Sequence, residues 1–114
     1  MRLKSAIFAA AIVRTANGAG AFAAVRRRGS EEAGAVFVKV ATLDGCAALY
    51  GPAPQSAFDA ETSGERLFAV LVPPGSPEAE SEARMVKEIR FDPDLWLLEI
   101  EDKAGRAFVD LAAG

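Results

Sequence analysis

Histidine is absent from the chain. That removes imidazole acid–base catalysis, the Ser-His and Cys-His routes to an activated nucleophile, and most transition-metal ligation. Cysteine occurs once, at Cys46, so no intramolecular disulfide can form and a reducing compartment is favoured. Asp44, two residues before it, supplies no cation to lower the thiol pKa, and Cys46 is read as inert. No apolar run reaches the roughly 18 to 20 residues that a membrane-spanning helix needs. Neither GxxxxGK[ST] nor GxGxxG occurs, so the two common nucleotide-phosphate loops are missing. Any catalyst built from this chain would rely on carboxylates, lysine, arginine, Tyr50 or Cys46.

What is present is ordinary for a globular protein: 114 residues, 51% of them hydrophobic and 25% charged. That length suits one domain, residues 1–114, with a real core. The net charge of −3 hides an imbalance. Residues 1–57 carry 7 basic and 3 acidic side chains, or +4, and residues 58–114 carry 6 basic and 13 acidic, or −7. Two poles of this kind suit self-association of unlike patches.

Ala35 to Tyr50 reads AVFVKVATLDGCAALY, two strand-like segments around Asp44-Gly45. Asp-Gly predicts a two-residue hairpin turn, because both central positions need positive φ. That turn sets Val40 opposite Leu49 on one face and Lys39 opposite Tyr50 on the other. A preceding segment, Ala21 to Arg28, pairs with Ala35 to Thr42 across the Gly29–Gly34 loop. Val25 then faces Val38, and Ala23 faces Val40, giving an antiparallel meander.

The N-terminal stretch mimics a short secretory signal, but Arg14 interrupts it. It is read as a helix that buries Leu3, Ile7, Phe8, Ala10 and Ala11 and ends at Asn17-Gly18. Gly51 to Ser56 is a proline-fixed connector, and with Tyr50 and Phe58 beside it is the expected ligand- or peptide-facing loop. A polar loop is expected from Ala57 to Glu65. Arg66 to Val72 reads as a central strand ended by Pro73-Pro74-Gly75. Ser76-Pro77-Glu78 opens a second helix, with Ser76 as cap and Pro77 first inside. Its expected buried stripe is Ala79, Ala83, Val86 and Ile89, with Met85 at the edge. Leu95 to Asp102 and Arg106 to Val109 are two further strands. The fold class is therefore α+β: a mainly antiparallel sheet of five to six strands, in the order α-β-β-β-β-α-β-β, with two helices on one face.

Three chemistries were weighed on these residues. Arg26, Arg28, Phe37, Lys39 and Tyr50 would share the second face of the meander, as a partner-contact surface or a platform on which nucleic-acid bases stack. Arg26 over Phe37 would be a cation–π pair. Asp92, Asp94, Glu99, Glu101 and Asp102 are hard-cation donors that would suit a magnesium-dependent enzyme, but the sequence disperses them, and no metal, cofactor or catalytic residue is assigned. The reading is a non-enzymatic, cytoplasmic interaction module that forms a homodimer through residues such as Phe37, Tyr50 and Trp96. Nucleic-acid binding and a carboxylate-based enzyme are the alternatives; no membrane is involved.

The stretches RRRGSEEAGAVFVKV (26–40), LYGPAPQSAFD (49–59) and EIRFDPDLWLLEIED (88–102) resemble an alphaproteobacterial family of small proteins of about this length, catalogued as a domain of unknown function. The resemblance implies a bacterial, single-domain, cytoplasmic protein whose N-terminal segment is a helix of the domain. It brings no activity, ligand or site residue with it.

Overall fold

The computed structural model describes residues 3–54 and 66–112. The expected Ala57–Glu65 loop, with Ser56 and Phe58, lies outside them. The elements follow the predicted order: α1 (Ser5–Gly18), β1 (Phe22–Arg27), β2 (Val36–Ala41), β3 (Cys46–Pro52), β4 (Leu67–Pro77), α2 (Glu78–Phe91), β5 (Trp96–Glu101) and β6 (Asp110–Leu111). Two helices and a six-stranded sheet make an α+β fold. The sheet, however, is mixed and ordered β1-β5-β2-β3-β4-β6.

The expected β1–β2 pairing does not form. β5 lies between them, antiparallel to β1 and parallel to β2. The physical reason is burial. Trp96, Leu97, Leu98 and Ile100 are apolar on both faces of β5, which suits an interior strand, whereas the alanines and arginines of β1 suit an edge. β4 is likewise not central. It buries Phe68 and Val72 but leaves Val70 exposed, and it continues through Pro73 and Pro74 to pair with β3 as far as Pro77. Those prolines are tolerated because β6 pairs only with Leu67 and Phe68, leaving the outer edge of β4 without donors to satisfy. The last strand is β6, not Arg106–Val109.

The hairpin exists, but its loop has three residues, Leu43 to Gly45, with positive φ at Leu43 (65°) and Gly45 (88°). Asp44 Oδ1 accepts hydrogen bonds from Thr42 Oγ1 at 2.6 Å and from the Cys46 N–H at 3.1 Å. The extra residue slips the register by one, so Lys39 lies opposite Leu49, Val40 opposite Ala48 and Val38 opposite Tyr50. A one-residue slip exchanges faces: Tyr50 joins the valines, and Leu49 joins Phe37 and Lys39.

Nor do the helices share a face. α1 packs Ala9, Ile12 and Ala16 on Val36, Val38, Val40, Trp96 and Leu98. α2 packs Met85 on Phe37, Leu49, Val72 and Leu97, on the opposite side. Each helix also turns only part of its expected stripe inward, Phe8 of α1 and Ile89 of α2 packing against the core. α1 buries Ser5, Ala9, Ile12 and Ala16, while Leu3 and Ile7 are about half exposed. Ser5 turns inward because its Oγ donates to the Gly34 carbonyl at 2.6 Å. α2 buries Ser81 and Met85, with Pro77 rather than Ser76 at the cap position. Ser76 Oγ donates instead to the Pro73 carbonyl.

The open edge of β1 is guarded by a side chain. Asn17 Oδ1 accepts from the Ala23 N–H at 2.9 Å, and its Nδ2 donates to the Ala23 carbonyl at 3.0 Å. The amide thus stands where a neighbouring strand would bond. Asn17→Ala is expected to lose about 1–2 kcal/mol, the worth of two partly exposed hydrogen bonds. Urea unfolding at constant m would measure it, and an unchanged midpoint would deny the amide this role.

Candidate functional site

Lys39 sits in the middle of the apolar strand β2 and is only 2% exposed. An ammonium group there needs counter-charges, because burial without partners costs several kcal/mol. Three elements bring them. β5 lies in parallel register with β2 and sets Glu99 beside Lys39. α2 is anchored at its start, where the Glu78 N–H donates to the Gly45 carbonyl at 3.0 Å. Glu78 and Glu82, one helical turn apart, then point down at the sheet.

Lys39 Nζ donates to Glu78 Oε2 at 2.6 Å and Glu82 Oε2 at 2.5 Å, and Glu99 Oε2 lies 3.7 Å away. Arg26, from β1, forks onto Glu82, with Nη1 to Oε2 at 2.7 Å and Nη2 to Oε1 at 3.0 Å. Its Nη1 also donates to Glu99 Oε1 at 2.8 Å. Two cations and three carboxylates thus join β1, β2, β5 and α2.

The electrostatics follow from these contacts. The hydrogen bond from Arg26, supported by Lys39 and opposed by burial, holds the Glu82 carboxyl down at about 2. The Arg26 guanidinium is pushed up, first by its hydrogen bond to Glu82. Burial alone would lower Lys39, but its bonds to Glu78 and Glu82 outweigh that and raise it. A lysine kept protonated is neither nucleophile nor base, and a carboxylate this acidic holds no proton to donate near neutrality. The cluster is built to stay charged and bind α2 to the sheet.

A pH dependence results. Glu82 has a folded pKa below its ordinary value of 4.5, so its contribution is complete above about pH 4.5 and is lost as the pH falls toward about 2. With no histidine, stability is expected to be flat from about pH 6 to 8 and to drop below about 4.5. Urea midpoints against pH for the wild type and Glu82→Gln would check this. The wild-type slope below pH 4.5 should be the steeper, and equal slopes would mean that Glu82 is not responsible.

The five residues read as a contact surface do not share one exposed face. Phe37 and Lys39 lie beneath α2, and Tyr50 lies on the α1 side; all three are buried. Burial raises the Tyr50 phenol pKa. Arg26 spends its charge on Glu82 and Glu99. Arg28 stacks 5.1 Å from the Trp96 ring, so this pair, rather than Arg26 with Phe37, makes the cation–π contact. Trp96 is also buried, and with Phe37 and Tyr50 it belongs to the core rather than to a dimer surface.

The carboxylates read as hard-cation donors are spread over separate contacts. Asp92 Oδ1 accepts from the Asp94 N–H, and Asp102 binds the Arg106 side chain and N–H, which hold it at about 2. Among the described residues, no three His, Cys, Asp or Glu side chains are grouped to hold a metal ion. Sequence reasoning does not single out Glu78 and Glu82 as site residues. The signal for them was the lone lysine in VFVKVA, which requires buried counter-charge.

A cleft of about 410 Å³ opens beside the start of α1, walled by Leu3, Lys4, Glu32, Gly34, Pro52 and Arg66. Gly51 and Pro52 of the expected connector belong instead to β3, opposite Ala69 and Phe68, and its Gln55 and Ser56 lie outside the described residues.

A comparison with curated proteins returns no match. Among solved structures, the chain is similar to a protein from A. tumefaciens determined in solution, at 43% identity and a TM-score of 0.84 over 100% of this chain and 98% of that one. It is similar to a crystal structure of a DUF1491 family protein from Caulobacter crescentus, at 35% identity and a TM-score of 0.81 over 99% and 100%. An NMR structure of a DUF1491 family protein from the same organism gives 37% identity and a TM-score of 0.81 over 100% and 99%. The DUF1491 family, described as a protein of unknown function, matches residues 3–110. With its model matching nearly the whole length and relatives alike in both sequence and fold, the chain belongs to the DUF1491 family of bacterial proteins.

Proposed function

We propose that this protein is a non-catalytic interaction module of the bacterial cytoplasm that pairs with a second copy of itself through the outer face of α2. One observation carries the reading: of the apolar stripe that helical periodicity marks for burial, only Ile89 packs on the core and the rest is left outside. Ala79, Ala83 and Val86 are exposed, Val86 by 55%, and Phe91 at the helix end by 91%. The charges flanking the stripe are self-complementary. Glu80 stands on the outer face near the start of α2, and Lys87 and Arg90 near its end. Among the described residues, none of the three side chains makes an ion pair or hydrogen bond. Two copies packed antiparallel would bring Glu80 of each against Arg90 of the other, with Ala83 and Val86 at the centre, as an isologous contact requires.

The paired ionic cluster supports a role at the surface rather than in chemistry, and the single reduced thiol suits the cytoplasm. No helix among the described residues is long and apolar enough to cross a membrane. One helix pair buries less than the roughly 800 Å² per partner of a standard interface. The dimer should therefore be weak, with a dissociation constant on the order of 10 µM to 1 mM.

Sedimentation equilibrium up to millimolar protein tests the reading. Glu80→Lys should abolish association, and Glu80→Lys combined with Arg90→Glu should restore it. A strict monomer throughout, or a double variant no better than the single, would overturn the proposal.

A further inference from the structure

The two helices are attached to the sheet by different forces. α1 buries a stripe of three apolar side chains, and its Ser5 hydroxyl is hydrogen-bonded. α2 buries Met85 and Ser81, packs the partly buried Ile89 on the same cluster, and carries the Ser81 hydroxyl without a partner among the described residues. Its side-chain polar attachment is ionic and concentrated in its first two turns: Glu78 and Glu82 on Lys39, and Glu82 on Arg26. The Arg84–Glu88 pair stays within the helix and does not reach the sheet. The helix is bounded by the end of β4, whose pairing with β3 stops at Pro77, and by the turn Asp92-Pro93-Asp94 after it.

We infer that α2 is an ion-clamped lid that lifts from the sheet as a unit while α1 and the sheet remain folded. The clamp formed by Arg26, Lys39, Glu78, Glu82 and Glu99 sets how often it lifts. When α2 rises, the carboxylates and the ammonium regain water in exchange for one another, so the separation costs less than parting two apolar layers. The surface uncovered is the second core cluster, chiefly Phe37, Leu49 and Leu97. Local opening of this kind belongs to elements with few buried apolar contacts.

Amide hydrogen exchange on the full chain tests the inference. In the wild type, α2 amides should exchange at least about tenfold faster than those of β2 and β5. Glu82→Gln should accelerate α2 by about a further tenfold and leave β2, β5 and α1 within about twofold, since a charge-assisted contact to two cations is lost. Glu78→Gln should act in the same direction with smaller effect. Arg84→Gln, which breaks only the pair within the helix, should change α2 by less than about threefold. The lid is overturned if α2 and the central strands exchange at one common rate and rise together in Glu82→Gln. It is equally overturned if Arg84→Gln accelerates α2 as much as Glu82→Gln does.

Discussion

Lys39→Ala is expected to lose about 2–4 kcal/mol of folding stability. Removing one partner from a buried ion pair typically costs about 3–5 kcal/mol, because the remaining charge stays desolvated. Here the value is discounted, since the orphaned carboxylates of Glu78 and Glu82 are 42% and 41% exposed and can regain water. Part of the loss is packing, because the lysine stem lies among Phe37 and Leu49 on the α2 side of the sheet. Lys39→Met keeps most of that volume and isolates the electrostatic share. Combining Lys39→Met with Glu78→Gln and Glu82→Gln should recover much of the loss, as an apolar replacement of a whole network often does. Urea unfolding followed by circular dichroism would measure the series. A loss below about 0.5 kcal/mol for Lys39→Ala would place the cluster with ordinary surface salt bridges and remove the argument for a clamp.

Trp96→Ala should be at least as damaging, at about 3–5 kcal/mol. Trp96 is 1% exposed and begins β5, the strand that separates β1 from β2. Its ring fills the α1-side core, its Nε1 donates to the Ser30 carbonyl at 2.7 Å, and Arg28 stacks over it. Truncation therefore leaves a cavity, an orphaned carbonyl and an arginine without its platform. Against a total stability of about 5–15 kcal/mol for a domain of this kind, the variant would be close to unfolding at 37 °C. Trp96→Phe keeps a ring and loses the hydrogen bond, so about 1–2 kcal/mol is expected. Trp96 is the only tryptophan, so circular dichroism rather than fluorescence must follow the melt. A Tm shift of a degree or two for Trp96→Ala would show that the β5 core can collapse around the gap.

Local signals were read well, and relations between elements poorly. Most elements and their order were legible because apolar periodicity, prolines and turn residues act over a few positions, but the last strand forms at Asp110–Leu111 rather than Arg106–Val109. The hairpin was legible as a turn, but not its loop length. Asp44 and Gly45 suit a two-residue loop equally well, and only Leu43 taking a positive φ shifts the count. That shift moved Tyr50 into the α1-side core and left Lys39 beneath α2. Both helix stripes were only partly right: Phe8 and Ile89 do pack on the core, but Leu3, Ile7, Ala79, Ala83 and Val86 do not, because α1 is apolar on nearly every side. In each case a polar contact decided: Ser5 reaching Gly34 turns α1, and Glu78 and Glu82 reaching Lys39 turn α2.

The sequence by itself determined which chemistries are closed to this chain, since the absence of histidine and the single cysteine act whatever the fold. It also determined both helices and most strands, and the presence of one lysine that a buried strand must neutralise. Only the tertiary structure decided that β5 would part β1 from β2, that the helices would cover opposite faces, and that Glu78, Glu82, Glu99 and Arg26 would converge on Lys39. The physical reason is range. Propensity and turn geometry are set by neighbours along the chain, whereas strand order and counter-charge are settled by burial energies between segments some 40 to 70 residues apart.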